Sequence, residues 1–341
     1  MSWSKALYRD ALLPLVLQFD YNRPATVSGG LLSYRLTRRG LLAGSLALAV
    51  QVSVPLPVNA GADLPQLTPL GQGLSLLSGF GAPVVVAEDG GQLLLVDGGE
   101  AASSKALTGF LAQQFPRSRL RSLINTSWRW DRSGYNETAA AAGARIIAHE
   151  NTRLWLGTEI HCAWESRRYA PRPSRALPTD TFHYGSRTLS LGAQQVEYGV
   201  LPNGFTDGDL YVWFPSQDVL VAGAMAVSSR YPIVDYSTNG WLGGMVGGLK
   251  QLMARCGPQT RVVDADGRVI GKAQLQAQQD LCFAVLQRIA ESYYKGDTRQ
   301  QFLDSKPSKD FDALRGDPTG FLVQSYESAW PHINEIRRVT R

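Results

Sequence analysis

The chain has 341 residues, 44% of them hydrophobic, which suffices for a substantial core and does not by itself require two domains. Its formal charge of +5 is concentrated at the start, where Lys5, Arg9, Arg23, Arg35, Arg38 and Arg39 face only Asp10 and Asp20. About +1 remains beyond residue 60. That balance gives no case for a nucleic acid or an acidic membrane as partner.

In chain order, Thr37-Arg38-Arg39-Gly40-Leu41-Leu42 follows Arg35, and an apolar run passes through Leu46, Leu48, Val50 and Val54. Small residues, Val58-Asn59-Ala60, precede a cut expected at Gly61. The segment resembles a twin-arginine export signal, which implies a periplasmic destination. Gln51 and Pro55 interrupt the run, and it falls short of the roughly 20 residues of a membrane span. No stable membrane span is therefore expected, an uncleaved anchor being the alternative. Three regions follow: an extension and signal over residues 1–60, a main domain over 61–294 and a C-terminal extension over 295–341.

Residues 81–87 and 93–99 read as two strands joined by a turn at Asp89-Gly90-Gly91. A helix is expected over 103–115, a strand over 120–125, an alanine-rich helix over 139–144 and a strand over 145–150. Asn151 is the expected cap of the next turn, and the proline-rich 169–182 segment is expected at the mouth of the site. Val219 to Ala224 reads as a strand. The glycine-rich 239–248 stretch lacks the phosphate-loop spacing and precedes an apolar helix over 249–254. A longer helix is expected over 273–294, followed by a polar tail with aromatic anchors Phe302, Phe311, Phe321, Tyr326 and Trp330.

Cys162, Cys256 and Cys282 have no C-x-x-C spacing, and a Cys256–Cys282 bridge is left open. His161 and Cys162 are neighbours on a strand and point to opposite faces, which is poor placement for a nucleophile and its base. His149, His183 and His332 are too scattered to form a cluster.

The most informative stretch is Asn125-Thr126-Ser127-Trp128-Arg129-Trp130-Asp131-Arg132-Ser133-Gly134-Tyr135-Asn136. It resembles the metal-binding loop of the metallo-β-lactamase superfamily, T-H-x-H-x-D-H-x-G-x-N. Thr126, Asp131, Gly134 and Asn136 match, while Ser127, Arg129 and Arg132 stand at the histidine positions. The family's later histidine, bridging aspartate and final histidine correspond to Phe205, Ala224 and Asp266. The resemblance spans residues 75–335 and implies an α/β fold, an αββα sandwich of two mixed sheets flanked by helices.

A catalytic zinc needs about three neutral nitrogen, sulfur or carboxylate ligands and an open position for water. A guanidinium stays protonated and only donates, so Arg129 and Arg132 are no substitutes. No metal and no cofactor is expected, the ancestral zinc site being lost. Arg129, Asp131, Arg132 and Asp266 are vestigial-site candidates, and no residue is assigned as catalytic. Either arginine paired with Asp131 or Asp266 would fill the former metal pocket. The functional counterpart is an anion pocket walled by Trp128, Trp130 and Tyr135, with Ser127, Arg129, Arg132 and Phe205 lining it.

The expected function is an exported pseudoenzyme that binds a small anionic ligand or a protein partner. One alternative is a hydrolase of esters, thioesters or lactams with Asp131 or Asp266 as general base and an arginine at the oxyanion. Another is a non-catalytic subunit supporting an active paralogue. The interleaved tryptophans and arginines also suit single-stranded nucleic acid, but export argues against it. The sequence leaves the oligomeric state open.

Overall fold

The computed structural model describes residues 64–339. The segment that resembles a twin-arginine signal lies outside the described residues. Alternation of apolar side chains dictates the layering: with a period of two, an all-apolar strand must bury both faces. Gln66–Gly71 (β1), Leu74–Ser78 (β2), Val84–Asp89 (β3) and Gln92–Val96 (β4) form an antiparallel run. Gly90 and Gly91 turn from β3 to β4 with φ of 58° and 74°, the left-handed pair that a tight hairpin demands. Arg119–Ile124 (β5), Arg145–His149 (β6) and Asp180–Phe182 (β9) extend the sheet in parallel from β4. Between β6 and β9 lies a small hairpin of Ile160–Cys162 (β7) and Arg167–Tyr169 (β8).

The second sheet contains Ser186–Leu191 (β10), Gln194–Val200 (β11), Leu210–Phe214 (β12), Val219–Val221 (β13), Arg261–Val263 (β14) and Val269–Ile270 (β15). It is antiparallel except where β13 runs parallel to β14. Val85, Ala87, Leu94, Val96 and Ile124 face Val196, Leu210, Val212, Val219 and Val221 across the gap between the sheets. The intervening residues of the first sheet pack on Leu107 and Leu111 of Ser104–Gln114 (α1) and on Ala139 of Asn136–Ala141 (α2). Outside the second sheet, Tyr211, Leu220 and Val262 pack on Leu242–Arg255 (α4) and Lys272–Lys295 (α5). Each fully buried valine, leucine or isoleucine among them stabilises the fold by about 1.5–3 kcal/mol. The result is the expected αββα sandwich.

Several local expectations are corrected. The alanine-rich helix occupies Asn136–Ala141, because the Asn136 side chain is pinned at its start. His149, not Asn151, caps Glu150–Leu156 (α3): its Nδ1 accepts the Asn151 N–H at 3.0 Å. The glycine-rich stretch is largely helical, since α4 begins at Leu242. A Cβ on Gly244 would lie 1.8 Å from the Asn203 carbonyl oxygen, so the glycine admits a close helix–loop contact. In the tail, Phe302 and Phe321 join the core of α4 and α5 as anchors. Trp330, by contrast, is 70% exposed and meets only the rim of the core, edge-on to Tyr293 at 6.1 Å. Cys162, Cys256 and Cys282 are all buried free thiols, so the open Cys256–Cys282 bridge is not formed. Among the described residues, no helix is long and apolar enough to cross a membrane.

Candidate functional site

The site is built on the loop between β5 and α2, and hydrogen bonds among its own residues hold its frame. Asp97 follows β4 with φ 59° and is buried. Its carboxylate accepts the Thr126 N–H at 2.8 Å and the Thr126 hydroxyl at 2.7 Å. Asn125 and Asn136 exchange amide hydrogen bonds, both 2.9 Å, across the base of the loop. A Cβ on Gly134 would lie 2.2 Å from the Ala101 nitrogen, so only glycine lets the two loops touch. Thr126, Gly134 and Asn136 match the motif because the loop's shape depends on them.

The two arginines at histidine positions are engaged in different ways from those expected. Arg132 is buried and donates to Asp97 at 3.1 Å and to the Ala265 carbonyl at 3.0 Å. Burial raises the Asp97 carboxyl above its ordinary range, and Arg132 with the two Thr126 bonds opposes that rise. Arg129 donates twice to Glu165, at 2.6 and 3.1 Å, and lies over the rings of Trp128, Trp164 and Tyr169. Burial by itself would lower the Arg129 guanidinium; the Glu165 bonds and the nearby Asp131 carboxylate lift it above its usual range. Burial alone would lift Glu165, but bonds from Arg129 and Tyr169 hold it below the usual carboxylate range. Asp131 approaches Arg129 only to 3.9 Å, and its Oδ1 has no hydrogen-bond partner.

Asp266 is not the partner of either arginine. It accepts from Ser229 at 2.6 Å and from Arg230 at 2.9 Å on the rim. Burial would raise its carboxyl, but Ser229 and Arg230 hold it below the ordinary value. Sequence reasoning thus missed Asp97, Glu165 and Arg230 as partners. Of the three, Asp97 alone lies in a segment that the sequence analysis marked, the strand expected over 93–99. Phe205 is buried, and its N–H, with the N–H and hydroxyl of Thr206, donates to Asp209. Burial without a neighbouring cation pushes the Asp209 carboxyl up to about 7. Ala224 lies in the short 3-10 turn Gly223–Met225 beyond β13, and the buried Ser127 hydroxyl has no partner.

A cavity of about 480 Å³ lies beside the loop, between α3 and the β7–β8 hairpin. Trp128, Trp130, Trp155 and Tyr169 wall it, with Arg167 and Arg172 among its lining residues. Pro171 and Pro173 of the proline-rich segment line it too, so the segment borders this cavity and not the one holding Arg132. Tyr135 does not: it packs against the outer face of the first sheet and its hydroxyl meets Thr108 at 2.9 Å. Phe205, Ser127, Arg129 and Arg132 are also absent from its lining. A second cavity, about 570 Å³, collects Glu100, Asp131, Arg132, Arg230 and Asp266. Cys162 faces neither, and burial with the charges of Asp235 and Glu165 pushes its thiol up to about 12. A thiolate nucleophile is therefore not available there.

Comparison with solved structures decides the fold. The DIM-1 metallo-β-lactamase aligns with TM-score 0.53 at 16% identity, covering 64% of this chain and 96% of that enzyme. A metallo-β-lactamase from Pontibacter korlensis aligns with TM-score 0.52 at 18% identity over 64% of this chain and 98% of that one. The chain has the metallo-β-lactamase fold. No protein-family model and no curated protein matches the sequence. The zinc that the fold implies does not fit the residues this chain presents. Among the described residues, no three His, Cys, Asp or Glu side chains gather as a metal-binding group. More decisively, the Arg132 guanidinium donates to Asp97, the carboxylate that holds Thr126 at the start of this loop. A fixed positive charge there repels a divalent cation and offers it no lone pair.

Proposed function

We propose that this protein uses the metallo-β-lactamase fold as a binding scaffold for a small anionic ligand and does not act as a zinc hydrolase. The observation that carries this reading is the Arg132 guanidinium, buried between Asp97 and the Ala265 carbonyl in the loop where imidazoles would hold metal. Seen chemically, the pair neutralises itself and leaves no open coordination position. The deciding experiment is elemental analysis of the mature chain purified without chelator. The expected result is less than about 0.1 equivalent of zinc, iron or manganese against the one or two of a working centre. Stoichiometric metal would overturn the reading.

Histidine at 127, 129 and 132 together is expected to leave zinc binding weak, because Phe205, Ala224 and Asp266 keep the distal half deficient; tight stoichiometric zinc in that variant would count against these assignments. Export to the periplasm belongs to the same proposal, and it rests on Arg38-Arg39 and the apolar run after them. Replacing both arginines by lysine is expected to hold the precursor in the cytoplasm.

A second reading has one observation in its favour. Asp131 lines the larger cavity, and its Oδ1 lacks a hydrogen-bond partner, as a general base would need. Chelator-resistant turnover of an anionic ester, abolished by Asp131→Asn, would establish it.

A further inference from the structure

We infer that the cavity beside the loop is a site for an organic monocarboxylate with a flat apolar body, held by Arg167 and Arg172 and separate from the former metal centre. The inference rests on the binding-scaffold reading and gives it a place and a ligand class. The walls are mostly apolar and aromatic: Trp128, Trp130, Trp155, Leu156, Ile160 and Tyr169. At about 480 Å³ the space falls within the range of small-molecule sites. Three tryptophans in one cleft favour a planar apolar surface, because flat rings stack with little loss of side-chain freedom.

The charges give the second half of the ligand. Arg167, Arg168 and Arg172 line the cavity against one carboxylate, Glu100. Arg168 is already paired with Glu159 at 3.1 Å. Arg167 is exposed and lies over Trp130 at 5.0 Å and Tyr169 at 4.7 Å, with no carboxylate partner among the described residues. Arg172 makes only a 3.5 Å contact to the Gly134 carbonyl, and its Nε is buried without a partner. Two guanidinium groups near an aromatic wall, set against a single glutamate, leave an excess of about one positive charge. A weakly hydrated carboxylate matches that excess and the planar fork of arginine. A dianionic phosphate would exceed the charge and lose more hydration on entering an apolar cleft.

Isothermal titration of the full mature chain with 2-naphthoate, 2-naphthamide and phenyl phosphate tests this. Naphthoate is expected to bind at one equivalent, and the neutral amide and the phosphate about tenfold or more weaker. Arg167→Met, whose surface position poses little risk to folding, and Arg172→Met are each expected to weaken naphthoate about tenfold while leaving the amide unchanged. Equal affinity for acid and amide would overturn the inference, as would undiminished naphthoate binding in both variants or no binding at millimolar naphthoate. Tighter phenyl phosphate would replace the carboxylate by a phosphate monoester and overturn the class. Stoichiometric zinc would overturn the scaffold reading alone and leave these titrations to decide the cavity.

Discussion

Four arginines near one loop divide into two pairs with opposite fates. Arg129 and Arg132 are buried and saturated, one by Glu165 and three aromatic faces, the other by Asp97 and a backbone carbonyl. Arg167 and Arg172 sit about the neighbouring cavity with no carboxylate partner among the described residues. The difference teaches that a charge becomes structural when its surroundings exclude water. A buried guanidinium must be compensated by its own fold, whereas one at a cavity edge keeps hydration and remains open to a ligand. The residues that look most like a binding site in the sequence are therefore the least available, and the available ones lie some 35 to 40 positions later in the chain.

The contrast can be broken hardest at Asp97. Asp97→Ala would leave the Arg132 charge buried without its partner, and a loss of about 3–5 kcal/mol is expected in chemical denaturation. If Arg132→Met in the same chain restores little of that loss, the pair is not the unit described here. Arg129→Met is expected to cost about 2 kcal/mol through the two Glu165 bonds, with Arg167→Met near zero in the same assay. Equal losses for those two variants would erase the distinction between the pairs.

Asp209 sharpens the comparison as a buried carboxyl with no cation beside it. Burial pushes its folded carboxyl up to about 7, from an ordinary aspartate value of about 4. Across that window the folded state binds more protons than the unfolded state, so this group's contribution to stability declines as pH rises. Asp209→Asn is expected to remove that decline, read as a flatter unfolding free energy between pH 4 and 7; an unchanged slope would refute it. The smallest effect is expected at the rim, where Arg230→Ala breaks the 2.9 Å pair with Asp266 and should cost less than about 1 kcal/mol.

Much of the fold was legible because the strands carry their own instructions. Val84 to Val86 and Leu93 to Val96 are apolar at every position, which requires a sheet covered on both faces, and Gly90-Gly91 marks the hairpin between them. The boundaries that moved did so through tertiary contacts. Asn136 starts α2 because it reaches Asn125, and Gly244 lies inside a helix because its missing side chain admits the Asn203 carbonyl. In the site, Ser127, Arg129 and Arg132 alone carried the expectation of a lost metal centre. Their partners were not: Asp97 and Glu165 lie 35 and 36 positions from the arginines they hold, and no spacing rule connects them. Tyr135 and Phe205 look like pocket walls in the sequence, yet both turn into the core.

One contact has a consequence for how the sandwich can be opened. Asp97 ends a strand of the first sheet, and the Ala265 carbonyl belongs to the turn between β14 and β15 of the second. The Arg132 side chain bridges them. The cation that joins these halves is covalently tethered to the chain and cannot diffuse away. The rivet closes as the two sheets pack, and opening the sandwich there must break both of its hydrogen bonds.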